Sequence, residues 1–160
     1  MCLELKKKNS RVKTAKKDII CWKWLRLHKD GKLLSPYRYK RYYLNDKMKD
    51  DVRVRKNAID SRGEVIMYTL DQGCFHTFKH YDDAKFVSAT SSWNWDSTFS
   101  LVVKCIIPKG SKYYEGDFCL FGCEPMESYA SKELKITDEI YVSEPDSPAL
   151  MYLDKVETYI

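Results

Sequence analysis

The sequence predicts an α+β fold: a β-rich single domain with a mainly antiparallel sheet and one or two short helices. Three observations predict it. Many short apolar runs alternate in polarity and stop at turn signals, as strands do. Only two short stretches, 82–89 and 124–132, have the character of a helix or a helical turn. The 160 residues, 44% apolar and 32% charged with 6 Gly and 5 Pro, have the composition of one globular domain. A chain of this size buries about two-thirds of its unfolded surface, enough for a core without metal or disulfide.

Residues 1–17 read as a basic arm, because seven of them are Lys or Arg and only Glu4 opposes them. The domain proper is expected over 18–160. Residues 18–27 (DIICWKWLRL) alternate Cys21, Lys23 and Leu25 against Ile20, Trp22 and Trp24, the period-2 signature of a strand. Lys29-Asp30-Gly31-Lys32 follows as a hairpin turn. Ser35-Pro36 then opens the run 37–44 (YRYKRYYL), and residues 45–63, polar and charged, read as a loop ending in the turn Asp60-Ser61-Arg62-Gly63.

Residues 64–70 and 74–78 read as strands joined at Asp71-Gln72-Gly73, 82–89 as a short helix, and 88–98 as a polar, aromatic loop. Residues 99–107 (FSLVVKCII) are the most apolar and β-branched stretch, expected as a central strand buried on both faces and ending at Pro108. A short strand is expected at 118–121, a helical turn at 124–132, and short strands at 134–136 and 139–142. The tail 144–160 is expected to end in a last strand.

Charge is distributed unevenly. Residues 1–56 hold 19 of the 28 Lys and Arg against 6 of the 23 acids, a net charge of +13, whereas the rest of the chain stands at −8. An electropositive surface beside an acidic body suggests an anionic partner. The chain opens on a Lys-rich stretch with no apolar run, so no signal peptide is expected before the six cysteines. No stretch has the roughly 20 apolar residues of a membrane span. Reduced thiols in a cytoplasm (the host's, if the chain is phage-encoded) are expected, with no membrane partner.

The densest constellation is Tyr37-Arg38-Tyr39-Lys40-Arg41-Tyr42-Tyr43. Each face of such a strand pairs cations with aromatic rings. Guanidinium and ammonium groups suit phosphate, and tyrosine suits base stacking. Candidate ligand-binding residues are Tyr37, Arg38, Tyr39, Lys40, Arg41, Tyr42, His76 and Trp93. Beside His76 and His80, Cys119 and Cys123 have tolerable zinc spacing, but Cys74-x-His76 is poor for one tetrahedral site. The chain has no phosphate-cradling Gly-rich loop, no HExxH and no GxSxG. No metal, cofactor or catalytic residue is expected.

Gly73-Cys74-Phe75-His76-Thr77-Phe78 followed by Asp82-Asp83-Ala84, the stretch 102–116 (VVKCIIPKGSKYYEG), and Tyr129-Ala130-Ser131 before Leu134-Lys135-Ile136 resemble the motifs of a family of small uncharacterised proteins from phages and gut bacteria. The resemblance spans about 64–140 and implies a phage or phage-related origin, with no activity attached. A second, weaker resemblance is to the ADP-ribosyltransferase fold. Arg38 or Arg41 stands in the place of that fold's Arg strand, Ser88-Ala89-Thr90-Ser91 departs from its Ser-Thr-Ser strand, and Glu133 stands for its late Glu.

These readings give an expected function: a soluble phage-type binding protein for an anionic ligand, whether a nucleotide, a nucleotide-derived signal or a nucleic acid. By analogy with phage proteins of this size, it would counteract host defence by sequestering a signal or blocking a defence protein. The alternatives are an ADP-ribosyltransferase-like enzyme using NAD, and a structural or protein-interaction module.

Overall fold

The computed structural model describes residues 4–6, 11–36, 40–49, 54–70, 75–90, 98–120, 122–142 and 144–158. In chain order the strands are β1 (Glu4–Lys6), β2 (Lys13–Thr14), β3 (Ile19–His28), β4 (Leu33–Leu34), β5 (Arg41–Tyr42), β6 (Lys47–Lys49), β7 (Val54–Ile59), β8 (Val65–Leu70) and β9 (Phe75–Phe78). Helix α1 (Tyr81–Thr90) follows, then β10 (Thr98–Ile107), β11 (Lys112–Phe118), β12 (Met126–Ser131) and β13 (Glu133–Val142), and a 3-10 helix (Pro148–Lys155). All strands belong to one antiparallel sheet with the path β6-β13-β10-β3-β9-β12-β11-β1-β8-β7; β2, β4 and β5 are attached beside it. The chain is thus a β-rich α+β domain with two short helices.

The axis of the fold is the pair β3–β10, in register over its whole length from Thr98↔His28 to Ile107↔Ile19. Alternation sorts their side chains onto two faces. Cys21, Leu25, Leu27, Leu101, Val103, Cys105 and Ile107 enter one core, closed over by Leu33, Tyr42, Leu44 and Ala149 of the 3-10 helix. Trp24 and Val102 enter the other, under Ala84 and Val87 of α1. Leu101, Val102 and Val103 are all buried, so β10 is covered on both faces there; Lys104 and Ile106 further along are only half-buried.

Local chemistry sets the element ends. Asp82 and Asp83 in the first turn of α1 suit the positive end of the helix, and its buried residues Ala84, Val87 and Ser88 make a stripe at helical spacing. The Ser147 hydroxyl accepts from the Ala149 amide at 3.2 Å and Pro148 starts the 3-10 helix. In the β3–β4 hairpin, Gly31 has φ +91°, and a Cβ there would stand 1.9 Å from the Lys155 carbonyl oxygen. Only glycine fits that close approach.

The structure departs from the sequence reading in several places. Residues 45–63 contain β6 and β7, which lie at the two ends of the strand path. Edge strands are half solvated and carry charge, so their composition imitates a loop. Residues 126–131 form β12 rather than a helical turn, because pairing with β11 on one side and β9 on the other overrides local preference. The short strands expected at 134–136 and 139–142 are one strand with an irregular step between the Cys105↔Ile136 and Val103↔Ile140 pairs. Of the strand expected at 118–121, Phe118 is the last residue of β11 and 119–120 are not in a strand; the tail forms the 3-10 helix and then, at Thr158, a single bridge to Leu44, with 159–160 outside the described residues. Strands β8 and β9 are not hairpin partners: β1, β11 and β12 lie between them in the path. The basic start contributes β1, paired to β8 and β11 with Leu5 fully buried, and β2, paired to β11. Among the described residues, no helix is long and apolar enough to cross a membrane.

Candidate anion-binding site

Of the eight candidate ligand residues, Tyr37, Arg38, Tyr39 and Trp93 lie outside the described residues. The other four are held as follows. The Lys40 amide donates to the Ser35 hydroxyl at 3.0 Å, and the Ser35 amide donates to the Lys40 carbonyl at 2.8 Å. This double contact starts β5, whose pairing Leu33↔Tyr42 and Leu34↔Arg41 continues the β3–β4 hairpin. The Lys40 ammonium lies 4.6 Å from the centre of the Phe75 ring. The Arg41 guanidinium pairs with the Glu157 carboxylate and lies 4.8 Å from the Tyr43 ring centre.

Tyr42 points the other way. It is 3% exposed, in the core, with Lys23 Nζ 5.2 Å from its ring centre. Lys23 itself is buried and donates to the His76 carbonyl at 2.8 Å. His76 is 6% exposed. Its ring sits 5.0 Å from Phe78 and 5.4 Å from Phe118, and neither ring nitrogen has a hydrogen-bond partner among the described residues. Burial, with the Lys23 charge beside it, pushes His76 well below the usual histidine range, so it is neutral. The expected alternation of the strand is real at Arg41 and Tyr42. It turns Tyr42 into the core, and the Arg41 charge is already matched by Glu157.

A second concentration of positive charge is assembled by the sheet. Strand β2 pairs with the start of β11, and the Ala15 amide donates to Ser111 while the Gly110 amide donates to Ala15. The Asp18 carboxylate accepts from the Lys109 amide at 2.8 Å, and the Lys132 amide donates to the Lys112 carbonyl. One end of the sheet thereby gathers Arg11, Lys13, Lys16, Lys17, Lys109, Lys112 and Lys132. Lys13 pairs with Glu115 and Lys112 donates to Thr14. Arg11, Lys16, Lys17 and Lys109 are exposed, and with Lys132 they enter no ion pair among the described residues. Next to this end, Glu133 accepts from the Ser111 hydroxyl and faces Lys47 and Lys49. The Ser111 hydroxyl, with both lysines, holds its carboxyl below the usual carboxylate range.

Elsewhere the sheet carries an open pocket of about 140 Å³ lined by Lys79, Glu115, Gly116, Asp117, Glu127, Ser128 and Tyr129. Three carboxylates against one ammonium, itself bound to Glu127 at 2.8 Å, make it unsuited to an anion. Ser88, Ala89 and Thr90 lie in the last turn of α1, and Ser91 is outside the described residues. Among the described residues, no group of three or more His, Cys, Asp and Glu could hold a metal ion.

Compared with protein-family models, curated proteins and solved structures, the chain matches none. The sequence signalled Lys16 and Lys17 as part of a basic start. It did not signal their meeting with Lys109 and Lys132, which depends on pairing between segments about a hundred residues apart.

Proposed function

We propose that the protein is a non-catalytic binding module for an anionic ligand. The observation that carries this reading is the end of the sheet where Arg11, Lys16, Lys17, Lys109 and Lys132 meet without an ion pair among the described residues. Five like charges repel one another, and a polyanion would relieve that repulsion. The Lys40 and Arg41 segment adds positive charge, although Glu157 offsets one of its members. The module would act by holding its ligand and not by turning it over, in keeping with the sequestering or blocking role expected of a phage protein.

Equilibrium dialysis against a panel of nucleotides and oligonucleotides, with mass spectrometry of the recovered ligand, tests this. The expected result is salt-sensitive binding of at least one anion, recovered unchanged. Absence of binding at low salt, or consumption of NAD, overturns the reading.

A further inference from the structure

The face of the β3–β10–β13 sheet carrying Trp24 and Val102 is covered by α1 over only part of its length. Beyond the start of the helix, among the described residues, it keeps an exposed strip. Ile20 is 54% exposed, and Ile106, paired with it, is half-buried. Trp22 follows two residues along β3, opposite Lys104. Tyr141 of β13, 37% exposed, packs on Trp22, as does Tyr81 at the start of α1. The three ring centres lie 5.0, 5.2 and 5.6 Å apart, each pair steeply tilted.

Rings this close, packed edge to face, fill their own centre. They cannot cage a cation between them, and they form a rigid platform instead. Charged groups border it. The Glu139 carboxylate takes up Lys104 and accepts from the Tyr141 hydroxyl at 3.0 Å, while Lys135 stands opposite Ile106 and Lys47 opposite Lys135. Ile20 is three residues from Lys17, so the apolar strip runs directly into the basic end described above. From Trp22 to Lys17 is five residues, roughly 17 Å at strand rise.

We propose that this open face binds a single-stranded nucleic acid, with bases on the Trp22–Tyr141 platform and on Ile20, and phosphates along Lys135 and the basic end. The proposal rests on the anion-binding reading and goes further in naming the polymer and the surface. Charge complementarity alone would suit any polyanion. The aromatic and apolar strip between the charges selects unpaired bases, because stacking needs a free ring face that a duplex does not offer.

The test uses the whole protein and three probes: a fluorescent oligothymidylate, the same length of DNA duplex, and inorganic polyphosphate. The variants are Tyr141→Ala and Ile20→Ser, both at exposed positions, and Arg62→Ala in the β7–β8 turn, at the far end of the strand path, as the control away from this face. Melting temperatures check folding. The expected result is a loss of roughly tenfold or more in oligothymidylate affinity for Tyr141→Ala and a smaller loss for Ile20→Ser. Polyphosphate binding should be unchanged in both, and Arg62→Ala should leave oligothymidylate binding intact. Unchanged oligothymidylate binding in either folded face variant overturns the proposal but spares the anion-binding reading, as does preference for the duplex. Binding of anionic lipid vesicles in place of the oligonucleotide also overturns it. Failure of all three probes to bind overturns this proposal, and failure of the nucleotide panel as well removes the reading beneath it.

Discussion

Gly31 and Gly63 form a matched pair that separates backbone strain from close packing. Both stand in hairpin turns at positive φ, +91° and +81°. A Cβ at Gly63 would meet nothing within 4 Å, whereas one at Gly31 would stand 1.9 Å from the Lys155 carbonyl oxygen. Substitution by alanine costs about 1–2 kcal/mol at each site for the left-handed conformation. That is reduced at both by the stiffer unfolded chain, about 0.4–1 kcal/mol. These two effects cancel in the comparison. What remains at Gly31 is the need to push the hairpin off the 3-10 helix. Overpacking of that kind typically costs about 1–3 kcal/mol. Gly31→Ala should therefore be about 1–3 kcal/mol less stable than Gly63→Ala, a difference of roughly 2–12 °C in Tm for a chain of this size. Urea denaturation of the parent and both variants, read at a common slope, measures it. Equal losses would refute the packing of the hairpin against Lys155 and, with it, the closure of the Tyr42 core by the 3-10 helix.

Three further predictions concern the core. Leu101 lies opposite Leu25, and Val103 lies opposite the buried Lys23. An aspartate at Leu101 should abolish folding or cost several kcal/mol, and Val103→Asp should cost less because an ammonium faces it. Equal losses in chemical denaturation would contradict that register. Burial pushes the Cys21 thiol up to about 12 and the Cys105 thiol well above its usual range. In native protein a thiol reagent should modify exposed Cys119 and half-buried Cys123 rapidly, and Cys21 and Cys105 only as the chain unfolds. Rapid native labelling of Cys21, located by peptide mass spectrometry, would be inconsistent with the core described. His76 stays neutral when folded but protonates when unfolded, so stability should fall as pH drops below about 6.5. The slope can reach about 1.4 kcal/mol per pH unit for one proton. His76→Leu should remove that component, and an unchanged slope would show that the ring is solvated.

Much of the fold was legible in the sequence. The long alternating strands β3 and β10 and the turn at Gly31 have strong local signals, and α1 carries an acidic first turn. The elements that were misread have a common physical cause. Strands β6 and β7 carry the charge that edges tolerate, and β12, with weak strand preference of its own, is held by its two neighbours. The site was legible only in part. Composition placed the positive charge in the first third but could not say that Tyr42 turns inward or that Glu157, 116 residues on, meets Arg41. Alternation along β3 put Ile20 and Trp22 on one face. That Tyr81 and Tyr141 join them follows from tertiary pairing alone.

The most direct test of the account is the salt dependence of oligothymidylate affinity, measured by fluorescence anisotropy for the parent and for Lys16→Ala, Lys17→Ala and Lys109→Ala combined. For single strands the logarithm of affinity falls by roughly 0.7 per phosphate contact for each unit of log salt. A steep slope is expected for the parent and a slope shallower by about 2 in the triple variant. The same slope in both proteins, or no binding by the parent at low salt, would contradict it.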